Sequence, residues 1–106
     1  MMKKLLFTLF ALTSVLSFSQ ETINTMFYNI FRFPSSNPAN REFILRDILD
    51  EYQPDLFMVC ELETEVGADL ILNTSLQNFP NFQRAVYHKN TSSTSDFIQN
   101  MVFFNT

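Results

Sequence analysis

Asn29 and Glu61 are the two polar residues whose positions suit shared chemistry. Asn29 stands near the carboxyl end of a β-branched and aromatic run, Ile23–Phe31 (INTMFYNIF). Glu61 directly follows a continuous apolar run, Leu56–Cys60 (LFMVC). A carboxylate and an amide side by side suit a hard cation, because Mg²⁺ prefers oxygen ligands and keeps much of its water. The plainer alternative is that Asn29 starts a turn and Glu61 faces solvent.

Other candidates are weaker. His88 is the only histidine. It sits at the edge of a polar loop with no orienting carboxylate nearby in sequence, and reads as solvated. Glu61, Glu63 and Glu65 alternate as a cation patch would, but such a run also fits a solvated helix start, where negative charge is favourable. Asp96, ahead of a strand, reads as a turn former. Cys60 is the only cysteine, so no intrachain disulfide can form, and it reads as a buried small hydrophobe. One Cys and one His exclude Cys/His zinc patterns. Gly67 is the only glycine, which excludes Walker and dinucleotide-binding loops.

The elements that must position Asn29 and Glu61 form a βαβ pattern. Ile23–Phe31 reads as a strand, and Arg32–Asn37 as a loop. Asn37-Pro38 reads as a helix start, since Asn can cap and Pro is preorganised at the first helical position. The helix runs to about Tyr52, with Ile44, Leu45, Ile48, Leu49 and Tyr52 on one face. Gln53-Pro54 stops it. Leu56–Cys60 suits a strand buried on both faces. The two strands are expected to be parallel neighbours, with Asn29 and Glu61 on the same edge of the sheet, where ligands bind in open α/β sheets. A second helix is expected over Glu65–Gln77, capped by Thr64. Strands follow at Phe82–Tyr87 and Gln99–Phe104, with a polar loop, Lys89–Asp96, between them. About four strands and two helices look like the front part of a larger layered α/β domain.

The chain opens as a secretory leader. Lys3 and Lys4 precede an apolar run, Leu5–Leu16, and Ser17-Phe18-Ser19 places small residues where a signal peptidase reads them. The run is too short for a stable membrane anchor, which needs about 20 apolar residues. Cleavage after Ser19 leaves Gln20–Thr106, outside the cytoplasm, secreted or periplasmic. Without Lys3 and Lys4, five basic residues face eleven acidic ones, a net charge of −6. Such a surface disfavours indiscriminate polyanion binding, whose affinity comes mostly from Lys and Arg on phosphates.

The segments YNIF (28–31), PDLFMVCELE (54–63) and NMVFF (100–104) resemble the start of the endonuclease/exonuclease/phosphatase superfamily, and most of all its secreted bacterial members. The resemblance covers Ile23 to about Phe104. It implies a partial layered α/β sandwich of the nuclease/phosphatase type and Mg²⁺- or other divalent-cation-dependent hydrolysis of a phosphoester, whether nucleic acid, phospholipid or sugar phosphate. It implies Glu61 as the metal ligand and Asn29 as the group that orients a phosphate or metal-bound water. Cys60 stands where Gln is commoner in the family, and Phe31 where some members carry a second acidic ligand. The family's later Asp-x-Asn motif and terminal Asp-His pair have no counterpart in these 106 residues. The resemblance therefore points to the N-terminal portion of such an enzyme, inactive without the later groups. The rival readings are a non-catalytic exported binding module and a truncated product without function.

Overall fold

A computed structural model describes residues 2–7, 19–90 and 98–106. Most of the apolar run expected to be a leader, with Ser17, lies outside the described residues, as do Asp96 and most of the polar loop 89–96. No helix among the described residues is long and apolar enough to cross a membrane.

The first strand, β1, is Thr25–Phe33, and helix α1 follows as Arg41–Tyr52. Strand β2 is Leu56–Leu62. Helix α2 is Glu65–Leu70, continued by a π-helical turn at Ile71–Ser75. Two strands complete the order: β3 at Phe82–Arg84 and β4 at Gln99–Asn105. They form one mixed sheet in the order β1-β2-β4-β3. The class is α/β. β1 and β2 pair in parallel, as a βαβ crossover requires, with Thr25 opposite Leu56 and Asn29 opposite Cys60. β4 runs antiparallel to both its neighbours.

One face of the sheet carries the core. Phe57, Val59 and Phe103 are fully buried there with Leu45 and Leu49 of α1, Ile71 of the π-helical turn and Leu76 just after it. Phe57 and Phe103 are register partners, and their rings stack with centroids 5.7 Å apart. Buried Ser75 donates to the Glu42 carbonyl at 2.8 Å, tying the π-helical turn to α1. The other face is only partly covered. Met58, Cys60, Val102 and Phe104 are half-buried and Phe27 is exposed. β2 is thus not buried on both faces, and Cys60 is not a core residue, because no helix among the described residues covers that side.

The helix start also differs from expectation. Asn37-Pro38 is a cis peptide within a turn, and α1 begins only at Arg41. Asn40 precedes it in the left-handed region (φ 61°), without a side-chain cap. The five-residue stripe on α1 is only partly buried. Leu45 and Leu49 are buried and Ile48 half-buried, but Ile44 and Tyr52 are 52% and 69% exposed. The reason is lateral. Among the described residues β1 is the sheet edge, so one flank of the stripe overhangs it. Phe43, off the stripe, carries the Arg46 guanidinium over its ring at 5.3 Å.

Thr64 caps α2 as expected, its hydroxyl accepting from the Gly67 N–H at 3.0 Å. A Cβ at Gly67 would come within 3.1 Å of both Leu62 and Pro34, which is why glycine fits here. β3 is shorter than the expected 82–87. Ala85 still donates to Val102 (2.9 Å), but the ladder then ends and Val86 and His88 are exposed.

Candidate functional site at the carboxyl edge

The parallel pairing of β1 and β2 carries Asn29 and Glu61 to the same edge. Asn29 Nδ2 donates to Glu61 Oε1 at 3.0 Å. The orientation of the amide is fixed from the other side: the Phe31 N–H donates to Asn29 Oδ1 at 2.8 Å, so the nitrogen must face Glu61. That second bond is an Asx-type turn. It opens a bulge in which Phe31 (φ 41°) and Arg32 (φ 49°) are left-handed and the β1–β2 register shifts between Asn29 and Phe33. Glu61 is itself left-handed, at φ 62°. Left-handed backbone at such side chains is uncommon and costs roughly 1–2 kcal/mol per residue. Three such residues lie together at the edge that carries the polar pair.

Both readings of Asn29 therefore hold in part. It starts a turn, and it also reaches Glu61. Its oxygen accepts from the Phe31 N–H while its nitrogen donates to Glu61, so the amide orients the carboxylate. Glu61 Oε2 has no hydrogen-bond partner among the described residues.

Two residues that hold this edge were not singled out from sequence. Arg41, the first residue of α1, turns back over β1. Its guanidinium donates to the carbonyls of Ile30, Phe31 (3.0 Å) and Arg32 (3.4 Å), and lies 5.4 Å from the Phe33 ring centre. It ties down the left-handed segment. The second is Ser35. Its N–H and hydroxyl donate to the two Glu63 oxygens at 3.0 and 2.8 Å, with Arg32 at 3.7 Å. Burial alone pushes the Glu63 carboxyl up. The Ser35 bonds and the Arg32 charge outweigh it together and hold the group below the usual carboxylate value.

The Glu61–Glu63–Glu65 alternation is not one cation patch. Glu61 meets Asn29, Glu63 meets Ser35, and Glu65 meets Arg84 at 3.0 Å. Arg84 also donates to Asp69 at 2.7 Å. Asp69 first, then Glu65, hold the guanidinium above its ordinary value against the effect of burial. Among the described residues no group of three or more His, Cys, Asp or Glu side chains is placed to hold a metal ion. A cation at this edge would have one protein carboxylate and water for its other ligands. That fits Mg²⁺, which is commonly held by one or two carboxylates plus phosphate oxygens. Beside Asn29, between β1 and α1, lies a cleft of about 200 Å³ lined by Tyr28, Phe31, Arg41 and Ile44; Glu61 does not line it. Compared with protein-family models, curated proteins and solved structures, the chain has no match.

Proposed function

We propose that this chain is the N-terminal, metal-holding part of an exported phosphoester hydrolase of the endonuclease/exonuclease/phosphatase type, with its partial α/β sandwich. The observation that carries this reading is the 3.0 Å bond between Asn29 and Glu61 at the carboxyl ends of two adjacent parallel strands. Glu61 holds the cation through Oε2, and Asn29 keeps the carboxylate turned to that task. Bound Mg²⁺ supplies Lewis-acid polarisation of the phosphoryl group. With a single carboxylate, affinity is weaker than that of oxygen sites built from several charged ligands. The groups that activate water in the family are not in these 106 residues, so the chain alone binds a cation and turns over no phosphoester.

Mn²⁺ titration followed by water proton relaxation tests the site. Saturable binding is expected, reduced at least about tenfold in Glu61→Gln, a loss of roughly 1.4 kcal/mol, and less in Asn29→Ala. Binding unchanged in Glu61→Gln removes the residue's claim as the ligand. A chromogenic phosphodiester with Mg²⁺ tests the second half. Turnover above blank, abolished by Glu61→Gln, would show that the chain needs no later groups.

A further inference from the structure

The residue that leader removal would expose is itself reactive. Cleavage after Ser19 makes Gln20 the first residue. Its free α-amine and its side-chain amide carbonyl are then joined by a short aliphatic link, and attack of one on the other closes an unstrained lactam ring. The same route is closed to the chain's other glutamines, whose main-chain nitrogen is a peptide N–H.

The fold leaves Gln20 free to react. Gln20–Asn24 are exposed and belong to no helix or strand, and β1 begins only at Thr25. Among the described residues, Gln20–Ile23 make no hydrogen bond or ion pair. Asn24 is the first residue held. Its N–H donates to Asp55 Oδ2 at 2.9 Å, and its carbonyl accepts from the Asp55 and Leu56 N–H groups at 2.8 and 3.1 Å. Ring closure at Gln20 turns only its own backbone and side chain and breaks no contact of the fold.

We propose that the exported chain carries Gln20 as pyroglutamate. The unprotonated α-amine attacks Cδ of the side chain, and a new C–N bond closes the ring. The bond from Cδ to the amide nitrogen breaks, and that nitrogen takes a proton from the attacking amine and leaves as ammonia. No oxidant, reductant or second substrate enters. Carrying amine and carbonyl on one residue makes the step unimolecular. An α-amino group has an ordinary pKa of about 8, so part of it is free base near neutral pH. The product has no terminal positive charge, as after terminal acetylation, and it denies aminopeptidases the α-amine they grip. That matters on an exposed arm outside the cell, where proteolysis concentrates. Without the ring, trimming would run through Gln20–Ile23 and stop where Asn24 is held. The inference rests on the exported reading and on cleavage after Ser19. It does not rest on the cation site, since Gln20 lies beyond the other end of β1 from Asn29.

Peptide mapping by mass spectrometry of the chain recovered after export tests it. The tryptic peptide Gln20–Arg32 should be lighter by one ammonia, with fragmentation placing the loss on Gln20. The intact chain should resist aminopeptidase until pyroglutamyl peptidase removes the ring and frees Glu21. Gln20→Asn, whose side chain would have to close a strained ring one atom smaller, should keep its full mass and be trimmed by aminopeptidase alone. If Gln20→Asn is not exported, the response of the parent chain to pyroglutamyl peptidase decides. A peptide of full mass beginning at Gln20 and open to aminopeptidase would overturn the proposal and leave the leader reading standing. Resistance that pyroglutamyl peptidase does not relieve would also overturn it. A first residue other than Gln20 would overturn both.

Discussion

Replacing Arg41 by alanine tests how the carboxyl edge is held. The guanidinium donates to three carbonyls of one left-handed segment, at Ile30, Phe31 and Arg32. The bond to Ile30 is half-buried, and a charge-assisted bond of that kind contributes about 1.5 kcal/mol. The other two are exposed and contribute a few tenths of a kcal/mol each. Contact with the Phe33 ring at 5.4 Å adds about 0.5 kcal/mol. The total is about 2–2.5 kcal/mol, which for a domain of this size is a fall in Tm of roughly 10 °C. Arg41→Lys should recover less than half, because an ammonium group cannot fork across three acceptors as the planar guanidinium does. Urea unfolding followed by far-UV circular dichroism gives the stability, and Mn²⁺ titration of the same variants gives the site. The affinity should fall with the stability, since Asn29 opens the segment that Arg41 closes. An Arg41→Ala protein within about 0.5 kcal/mol of the parent would show the three bonds to be idle. Full stability with lost cation binding would show that Arg41 acts on the ligand directly.

Three further outcomes are expected. Glu63 has a lowered folded-state pKa, so the stability it contributes is present above the ordinary carboxylate pKa of 4.5 and is lost as pH falls through the folded value. Glu63→Gln should flatten the stability-versus-pH curve below 4.5, and an unchanged acid limb would remove Glu63 as its source. Gly67→Ala gains about 1 kcal/mol of helix propensity, but its Cβ meets the Pro34 ring and Leu62 at 3.1 Å and the capping Thr64 hydroxyl at 3.3 Å. Thermal melts should show a net loss; a rise in Tm would mean that the Pro34 loop yields. Intact mass of the exported chain should correspond to a start at Gln20, and a mature species retaining Met1 would refute the leader reading.

The pairing of Asn29 with Glu61 was legible in the sequence because it depends only on alternation and crossover handedness. Two short strands around one helix must run parallel, and residues at their carboxyl ends then meet. The helix stripe was less legible. A helical wheel tells which residues share a face, but not how far the sheet extends beneath it. Ile44 and Tyr52 share a stripe with Leu45 and Leu49 yet stay exposed, because β1 is the last strand on that side. The open face of β2 is half-exposed although Leu56–Cys60 is apolar throughout, because no helix among the described residues covers that side.

What holds the site was not legible, and the reason is the length of the interactions. Arg41 and Ser35 act across a turn whose path no local signal sets. Asn37-Pro38 looks like a helix start on propensity alone, yet α1 begins three residues later, at Arg41, where its first side chain can reach back to β1. Glu63 reads as a solvated helix approach until the chain from Phe33 to Ser35 is seen to fold against it, with the Glu63 N–H donating to the Phe33 carbonyl at 2.8 Å. Left-handed backbone at Phe31, Arg32 and Glu61 likewise has no signature in residue type, since none of the three is a glycine or asparagine. Backbone strain of this kind persists only where surrounding contacts over-determine it, and it gathers at functional sites. Here those contacts are the Arg41 fork on one side and the Asn29–Glu61 and Ser35–Glu63 bonds on the other. The carboxylate assigned to the cation is therefore held at an edge that β1, α1 and β2 stabilise jointly.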